Sequence, residues 1–313
     1  MDELRLLATT RHYFLRRDAL RIGVSDEVLH RGVKRGRLAR IRQGAYCHLD
    51  IWRGLDEGDR FLARSLAAYD LTDGDIALSH TSALARLGCP LHGVSLDRVH
   101  LTFRGAGTAR LEAGTSRHFN GSPPAVFTRL DDVWTTTPSW TAIGAMTVMP
   151  VESCVVAGDW LLHHDLTTAE ELWDLKTGLN HHPKTRHLEV ALRLLDGKSE
   201  SPGESRCRYL FWLLGLPCPK LQWPIRDRNG TLIAVTDFAW PEHNTYGEFD
   251  GKIKYGRLLK PGQEPGDVVF DEKRREDAIR RVTSGTVVRW TWQDIGPYSE
   301  PVRQLRGILG PAA

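Results

Sequence analysis

Apolar and polar positions along the first fifty residues predict three short helices followed by a β-hairpin. Aliphatic residues recur at helical spacing in three segments, residues 3–8, 16–22 and 26–35. Gly23 ends the second segment, as glycine commonly does after a helix, and Ser25 begins the third as an N-cap residue. Helices in this order before a hairpin predict a winged helix-turn-helix.

The third predicted helix has one apolar face and one polar face. Leu29 and Val33 fall together on the first, whereas the opposite face carries Glu27, His30, Arg31 and Lys34. Arginine and lysine on an exposed helix can reach guanine edges and phosphates in the major groove. We therefore expect this helix to be the second helix of the helix-turn-helix.

Residues 37–49 alternate between two faces, as a β-hairpin does. Leu38, Arg40 and Arg42 share one parity, and Ala39 and Ile41 share the other. This alternation predicts a wing whose arginines can contact the DNA phosphates.

Charge is concentrated in the same region. The whole chain has 42 basic and 39 acidic residues, but residues 11–42 hold ten Lys or Arg against three Asp or Glu. Such a surplus is typical of a surface that binds phosphate, although a solvated basic face is the alternative. The residues expected to contact double-stranded DNA are Arg16, Arg17, His30, Arg31, Lys34, Arg35, Arg40 and Arg42.

One stretch resembles the N-terminal module of AbiEi-type antitoxins, which is a winged helix-turn-helix: RRDALRIGVSDEVLHRGVKRGRLARIRQGAY. The shared pattern is a basic turn, G-V-S, a helix, and then R-G-x-L-x-R-I-R-x-G-x-Y. The resemblance implies DNA binding, usually at a promoter, and a cognate toxin protein as a further partner.

Residues 51–197 are expected to form a mixed domain to which we assign no chemistry. Helices are predicted over five segments, residues 60–69, 81–87, 151–163, 168–177 and 185–196. VHLTF and SRHFNG are predicted strands joined by a hairpin tip, RGAGTAR, whose spacing matches no phosphate-binding loop. Ser79 and His80 lie outside any nucleophile elbow, so we expect them to cap a helix. Their S-H-x-S-A stretch also resembles AbiEi-related proteins.

Residues 198–313 are expected to form a third domain. Ser201, Pro202 and Glu204 form a complete helix start. Turn residues and alternation after this helix predict a three-stranded antiparallel meander. The later elements are a charged helix over residues 272–283, a strand over 286–292 and a short helix over 302–309.

Acidic residues on the predicted meander indicate a metal site. Asp237 lies on its second strand, and Glu248 and Asp250 lie on one face of its third. Lys252 and Lys254 share that face if the strand continues. Carboxylates beside a lysine suit a Mg²⁺ ion that promotes phosphodiester hydrolysis. Each acid taken alone could be structural, by capping a turn or pairing with a nearby cation.

The order of elements over residues 201–309 resembles the very-short-patch-repair-like branch of the PD-(D/E)xK endonucleases. This resemblance implies a restriction-endonuclease-like α/β/α domain, with Asp237 and Glu248 as Mg²⁺ ligands and Glu204 as the helix acid near the metal. Asp250 stands where the general motif has its lysine, so Lys252 or Lys254 would supply the cation. The capping box explains Glu204 equally well.

Composition and length give the remaining expectations. No apolar run approaches the length of a membrane span, and five scattered cysteines without a C-x-x-C pair fit a reducing cytoplasm. We expect an α+β protein with three domains, residues 1–50, 51–197 and 198–313. One hypothesis is a DNA-binding, Mg²⁺-dependent endonuclease in phage defence or DNA repair. The other is a non-enzymatic AbiEi-type antitoxin and repressor whose nuclease fold is a scaffold. Either could act as a homodimer on palindromic DNA.

Overall fold

The structure is a computed structural model that describes residues 2–105, 110–112, 114–118, 126–178, 185–251 and 279–310. The chain divides into two compact units. Unit 1 comprises residues 1–157 and 165–193, and unit 2 comprises residues 158–164 and 194–313.

Unit 1 begins with helices and a β-hairpin in the order predicted from the sequence. In chain order they are α1 (Asp2–Arg11), β1 (Phe14–Leu15), α2 (Arg16–Arg21), α3 (Asp26–Lys34), β2 (Leu38–Arg42) and β3 (Ala45–His48). The three strands form an antiparallel sheet in the order β1-β3-β2. The three predicted helices and the predicted hairpin are all present.

Local signals explain where α2 ends and α3 begins. Gly23 has a φ of +80°, a left-handed conformation that glycine adopts at little cost. The Ser25 hydroxyl caps α3 by accepting a hydrogen bond from the backbone N–H of Val28 at 3.4 Å. Helices and sheet enclose one core, formed by Leu4, Ala8, Phe14, Ala19, Leu29, Leu38 and Cys47.

The alternation predicted for β2 is wrong at the end of the strand. Arg40 pairs with Tyr46, but the next pair is Arg42 with Ala45, so Ile41 is an extra residue in a bulge. Ile41 packs against the apolar core of this sheet. A one-residue insertion moves the following side chain to the other face of the sheet. Arg40 and Arg42 therefore lie on opposite faces.

The rest of unit 1 combines helices with a six-stranded mixed sheet. The helices are α4 (Leu49–Gly54), α5 (Glu57–Leu71), α6 (His80–Leu87), α7 (Pro138–Met146), α8 (Val151–His163), α9 (Ala169–Thr177) and α10 (Thr185–Leu194), of which α8 and α10 end in unit 2. The strands are β4 (Ile76–Leu78), β5 (Val99–Phe103), β6 (Arg110–Glu112), β7 (Thr115–His118), β8 (Phe127–Leu130) and β9 (Val133–Thr136). Their order in the sheet is β6-β7-β5-β4-β9-β8.

The hairpin predicted from VHLTF and SRHFNG is wrong in its pairing. β5 and β7 are neighbours but run parallel, with His100 opposite Ser116. β6 lies between them in sequence and forms the antiparallel pair with β7. Parallel neighbours need a connection that returns the chain to the same end of the sheet, and β6 supplies that return. Residues 106–109 of the predicted tip lie outside the described residues.

Unit 2 is built on a four-stranded mixed sheet. Its elements are α11 (Pro202–Leu213), β10 (Lys220–Arg226), β11 (Leu232–Trp240), β12 (Thr245–Asp250), β13 (Thr286–Thr291) and α12 (Glu300–Leu309). Short 3-10 turns follow β11 (Pro241–His243) and β13 (Trp292–Asp294). β10, β11 and β12 form the predicted antiparallel meander, and β13 runs parallel to β12.

Aromatic side chains fill the core of unit 2. Phe211 of α11 meets the rings of Phe238, Trp240 and Trp290 edge-on, with centroids 5.2–5.4 Å away. Leu305 of α12 belongs to the same buried cluster. Both helices therefore pack on the sheet through one core.

Some of the predicted C-terminal features lie outside the described residues, namely Lys252, Lys254 and most of the charged helix, of which residues 279–283 are helical. The described helices and their three sheets confirm the mixed α+β class. In the described ranges, no helix has the length and apolar character needed to cross a membrane.

Candidate functional site

The polar face predicted for α3 is exposed. Leu29 is 1% exposed and anchors the helix to the core, with Val33 packed against the same cluster. Exposed side chains cover the other faces of the helix and its end, namely Glu27, His30, Arg31, Lys34 and Arg35. A helix anchored by aliphatics and covered with cations is the arrangement that a major-groove helix needs.

Two of the predicted DNA-contacting arginines form ion pairs with acids of α3. Arg31 donates to Glu27, one turn earlier, at 2.5 Å. Arg16, the first residue of α2, donates to Asp26 through Nε at 2.6 Å and Nη2 at 2.5 Å. The guanidinium of Arg16 lowers the pKa of the Asp26 carboxyl below its usual value. These pairs orient both arginines and lower the net positive charge beside α3.

The other predicted contacts differ in exposure. Arg17 on α2 and Arg40 on β2 are exposed. Arg42 is partly buried, and its Nη2 donates to the Thr115 hydroxyl at 3.2 Å. Because Thr115 begins β7, Arg42 contacts the six-stranded sheet of unit 1.

In unit 2, Asp237 and Glu248 lie on the neighbouring strands β11 and β12. The paired register of β11 and β12 ends with Phe238 opposite Gly247. The next residue of each strand is therefore Asp237 on β11 and Glu248 on β12. The two predicted metal acids therefore lie on neighbouring strands, each one residue beyond the last pair of the ladder.

Both acids have partners in the protein. Asp237 Oδ2 accepts a hydrogen bond from the backbone N–H of Phe249 at 2.7 Å. Glu248 is paired in register with Arg289 of β13, and their side chains form an ion pair at 3.3 Å. Arg289 is a cation beside these acids that was not singled out from the sequence, because the strand that carries it lies 41 residues further along the chain.

Glu204 caps the start of α11. Its Oε1 accepts from the Ser201 hydroxyl at 2.7 Å, and its Oε2 accepts from the backbone N–H of Glu200 at 2.9 Å. Gln222 Nε2 donates to the same Oε2 at 3.2 Å. Burial raises the pKa of Glu204 above its usual value. The Ser201 hydroxyl in turn accepts from the backbone N–H of Glu204 at 3.3 Å. Glu204 therefore supports the start of α11, which is the structural alternative to a metal-binding role, although its backbone donor is Glu200 and not the N-cap residue.

Asp250 is the last residue of β12 and is paired in register with Thr291 of β13. Lys252 and Lys254 follow it but lie outside the described residues. The contact of a lysine with these acids therefore stays a prediction.

A cluster of three histidines in unit 1 was not predicted. His80, His100 and His118 each offer a ring nitrogen, and these three atoms lie within 4.8 Å of one another. The rings are stacked: the centroids of His80 and His118 are 3.9 Å apart, and the His100 centroid is 5.2 Å from each of the other two. His100 Nδ1 lies 2.9 Å from His118 Nε2. We call this group the histidine cluster.

The topology of the six-stranded sheet assembles the histidine cluster. His100 on β5 and His118 on β7 lie on parallel neighbours, two register positions apart, so their side chains share a face. His80 is the first residue of α6 and has a φ of +51°, and its Nδ1 lies 3.0 Å from the Ser79 hydroxyl. Gly144 of α7 makes room for the ring, since a Cβ there would lie 3.3 Å from it.

Burial controls the protonation of two of these rings. Desolvation is the main cause that lowers the pKa of His100 to about 4, and the neighbouring His118 and Arg98 lower it further. Desolvation also lowers the pKa of His118. Both imidazoles are therefore neutral near pH 7, the form in which a ring nitrogen has a lone pair to offer.

A cavity of about 740 Å³ lies beside the histidine cluster. His100 and His118 line it together with polar and charged side chains, Thr81, Ser95, Asp97, Arg98, Ser116 and Arg117. Of the three histidines, only His80 was singled out from the sequence, within S-H-x-S-A. The three lie 20 and 18 residues apart, and no local spacing connects them.

Comparison with known proteins gives two similar curated relatives, "Uncharacterized protein MT2308" and "Uncharacterized protein Rv2248", from two strains of Mycobacterium tuberculosis. Each is 26% identical over 263 residues, covering 78% of this chain and 90% of the relative. Among solved structures, "Crystal structure of RV2827C protein from Mycobacterium tuberculosis" is similar at 15% identity and a TM-score of 0.37, covering 65% of this chain and 78% of that chain.

The N-terminal elements match a described family. Residues 1–47 match the family "Transcriptional regulator, AbiEi antitoxin". This segment holds α1, α2 and α3 and all but the last residue of the β2–β3 hairpin. The resemblance inferred from the N-terminal sequence is therefore confirmed for residues 1–47.

Proposed function

We propose that this chain is a transcriptional regulator of the antitoxin type that binds double-stranded DNA through its N-terminal winged helix-turn-helix. One observation carries the proposal. The segment that matches the antitoxin family is the same segment that exposes the basic face of α3.

The exposed cations fall into two proposed roles. His30, Arg31 and Lys34 lie on α3, the helix proposed to enter the major groove, where such side chains can reach base edges. Arg17 and Arg40 lie on the flanking α2 and β2 and are proposed to bind phosphates, which position a protein without reading sequence. Arg42 is a weaker candidate than expected, because its guanidinium donates to Thr115.

An antitoxin acts with a toxin, so we include a cognate toxin protein among the proposed partners. A neighbouring gene for a nucleotidyltransferase-like toxin would support this assignment. Co-expression of that toxin with the present chain would test it, since an antitoxin restores the growth that its toxin stops.

The DNA proposal is tested by fluorescence anisotropy with the DNA upstream of the protein's own gene and with a scrambled fragment. We expect tighter binding to the upstream fragment. The combined substitutions Arg31→Ala, Lys34→Ala and Arg35→Ala are expected to weaken binding at least tenfold at moderate salt, because they remove three cations from α3 and its C-cap.

A matched variant controls for charge alone. Arg228→Ala, Arg303→Ala and Arg306→Ala remove three exposed cations from unit 2. They are expected to leave the affinity within about twofold, because the gain from counterion release comes from cations that neutralise bound phosphates. If the α3 variant binds as tightly as the wild type while both fold, the winged helix is not the DNA-binding element.

A second candidate function is a Mg²⁺-dependent DNA endonuclease, which the juxtaposition of Asp237 and Glu248 favours. Mg²⁺ prefers oxygen ligands, and these two carboxylates would hold it. Glu204 is a weaker candidate for that role, because its two oxygens also accept hydrogen bonds at the start of α11. A bound Mg²⁺ would neutralise phosphate charge and activate water.

The endonuclease candidate is tested by incubating the protein with supercoiled and linear DNA in Mg²⁺ or Mn²⁺. Cleavage should disappear in both Asp237→Ala and Glu248→Ala and persist in Glu300→Ala, which removes an exposed acid elsewhere in unit 2. Intact DNA after incubation with wild-type protein, with binding retained, would leave the regulator as the proposed function.

A further inference from the structure

We propose that the histidine cluster is a Zn²⁺ site in which His80, His100 and His118 are the protein ligands and a fourth position opens toward the adjoining cavity. This site lies outside the winged helix-turn-helix and outside the acids of unit 2. The proposal does not depend on DNA binding.

The donor set suits zinc. Three imidazoles with one open position form a common ligand set for Zn²⁺, whereas Mg²⁺ and Ca²⁺ prefer oxygen donors. Among the described residues, this is the one group of three or more His, Cys, Asp or Glu side chains whose ligand atoms converge. The convergence is tertiary, since the three ligands come from a helix start and two strands.

The distances between the three ligand atoms are close to those of a zinc site. At Zn–N bonds of about 2.0–2.1 Å, the ligand atoms of a tetrahedral site lie roughly 3.4 Å apart. His100 Nδ1 and His118 Nε2 are already 2.9 Å apart, and the whole set lies within 4.8 Å. The rings are nearly parallel, with interplanar angles of 10–19°, so zinc binding would require the imidazoles to rotate until their in-plane lone pairs converge on one ion.

Ser79 provides the outer contact that a zinc-binding histidine needs. A metal-bound imidazole usually donates its other N–H to a protein acceptor, which fixes the tautomer and the ring orientation. His80 Nδ1 lies 3.0 Å from the hydroxyl of Ser79, which is 1% exposed. In the tautomer that donates from Nδ1 to Ser79, Nε2 would be the metal ligand of His80.

The cavity supplies space for the fourth ligand. His100 and His118 are part of its wall, so an ion held by them would face its interior. Thr81 also lines the cavity, is 1% exposed, and its hydroxyl has no hydrogen-bond partner among the described residues. A buried hydroxyl without a partner is rare, and a zinc-bound water in the cavity would supply one.

The alternative is a stacked group of core imidazoles held by the hydrogen bond between His100 and His118. That arrangement satisfies two ring nitrogens without a metal. It predicts that added Zn²⁺ binds no more tightly to the wild type than to a protein lacking one of the rings. Zinc affinity therefore separates the two interpretations.

The test uses the full chain, first freed of metal with a chelator and then titrated with ZnCl₂ by calorimetry. We expect one Zn²⁺ per chain in the wild type and at least a tenfold loss of affinity in His118→Gln and in His80→Gln. Ser79→Ala is expected to weaken Zn²⁺ binding by about 10–100-fold, the usual effect of losing an outer-shell partner. His243→Gln removes an exposed histidine of unit 2 and should bind zinc as the wild type does.

A second measurement covers the case in which a variant does not fold. Co²⁺ added to the metal-free wild type should give the visible absorption of a tetrahedral nitrogen site, and one equivalent of Zn²⁺ should abolish it. Absence of Zn²⁺ binding by the wild type, or equal affinity in wild type and folded His118→Gln, would overturn the proposal.

Discussion

Arg16 and Asp26 join α2 and α3 by a bidentate ion pair, in which Arg16 Nε and Nη2 donate to the two oxygens of Asp26 at 2.6 and 2.5 Å. Each is the first residue of its helix, Arg16 of α2 and Asp26 of α3. A planar guanidinium that meets both oxygens of one carboxylate is held in a fixed direction. Arg16 therefore acts within the protein as well as on its surface, unlike the adjacent Arg17.

This pair predicts different contributions of Arg16 and Arg17 to DNA affinity. Each phosphate contact contributes about −0.9 to the slope of log affinity against log salt. Arg17→Gln is expected to reduce that slope by about 0.9, and Arg16→Gln by less, because Asp26 already neutralises its charge. Anisotropy titrations from low to moderate salt measure both slopes. A larger change for Arg16→Gln than for Arg17→Gln would contradict this assignment.

Gly203 is expected to be essential for the packing of β12 on α11. A Cβ at position 203 would lie 1.9 Å from the ring of Phe249, so the ring or the helix would have to shift. Gly203→Ala should lower the free energy of unfolding by about 1–3 kcal/mol, the usual range for overpacking. Urea denaturation measures the loss.

Two further variants test the cause. Gly307 lies in α12 with open space around its Cβ position, so Gly307→Ala should leave stability unchanged or raise it by up to about 1 kcal/mol. The double variant Gly203→Ala with Phe249→Ala should lose less free energy of unfolding than the sum of the two single losses. Additive losses would exclude the clash with Phe249 as the reason.

The buried ion pair between Asp159 and Arg208 is expected to stabilise unit 2. Arg208 Nη1 donates to Asp159 Oδ2 at 2.6 Å. The side chain of Arg208 is 10% exposed and that of Asp159 is 1% exposed. The backbone N–H of Asp196 donates to Asp159 Oδ1 at 2.7 Å. Asp159→Ala removes the carboxylate partner of the buried Arg208 charge and should lower the free energy of unfolding by about 3–5 kcal/mol.

The same substitution at a surface pair is the control for Asp159. Glu300 pairs with Arg303 at 2.6 Å with both side chains mostly exposed, so Glu300→Ala should change the unfolding midpoint very little. Similar losses in chemical denaturation for the two variants would show that burial does not decide the effect.

Glu204 is expected to act on stability through the cap of α11. Glu204→Gln replaces one acceptor oxygen with an NH₂ group, so one of its donors, the Ser201 hydroxyl or the Glu200 backbone N–H, loses its partner. The cost should be about 1–3 kcal/mol, measured by thermal or urea unfolding. Glu200→Gln keeps the backbone donor and changes only an exposed side chain, and it should be neutral. An unchanged stability of Glu204→Gln would contradict the capping role.

Elements specified by local chemistry could be predicted without the structure. Ser25, Ser201 and Gly23 marked correct helix boundaries, because an N-cap hydroxyl and a left-handed glycine act within a few residues. The periodicity of α3 indicated its buried and exposed faces for the same reason. The antiparallel meander of unit 2 also followed from local turns and alternation.

Features that depend on distant partners could not be predicted in this way. The bulge at Ile41 is set by how β2 pairs with β3, and the alternation along β2 does not indicate it. The short helices α4 and α7 and the strands β4, β6, β8 and β9 were missed, because packing stabilises them more than their own patterns do. The parallel pairing of β5 with β7 likewise depends on a chain return through β6.

The candidate sites show the same division. Helical periodicity placed the cations of α3 on its exposed face, since they all lie on a single element. The contact between Glu248 and Arg289 requires that β13 pair with β12, and the histidine cluster requires that β5 and β7 lie side by side against α6. Sequence patterns report periodicity within an element, whereas these sites are formed by pairing between elements far apart in the chain.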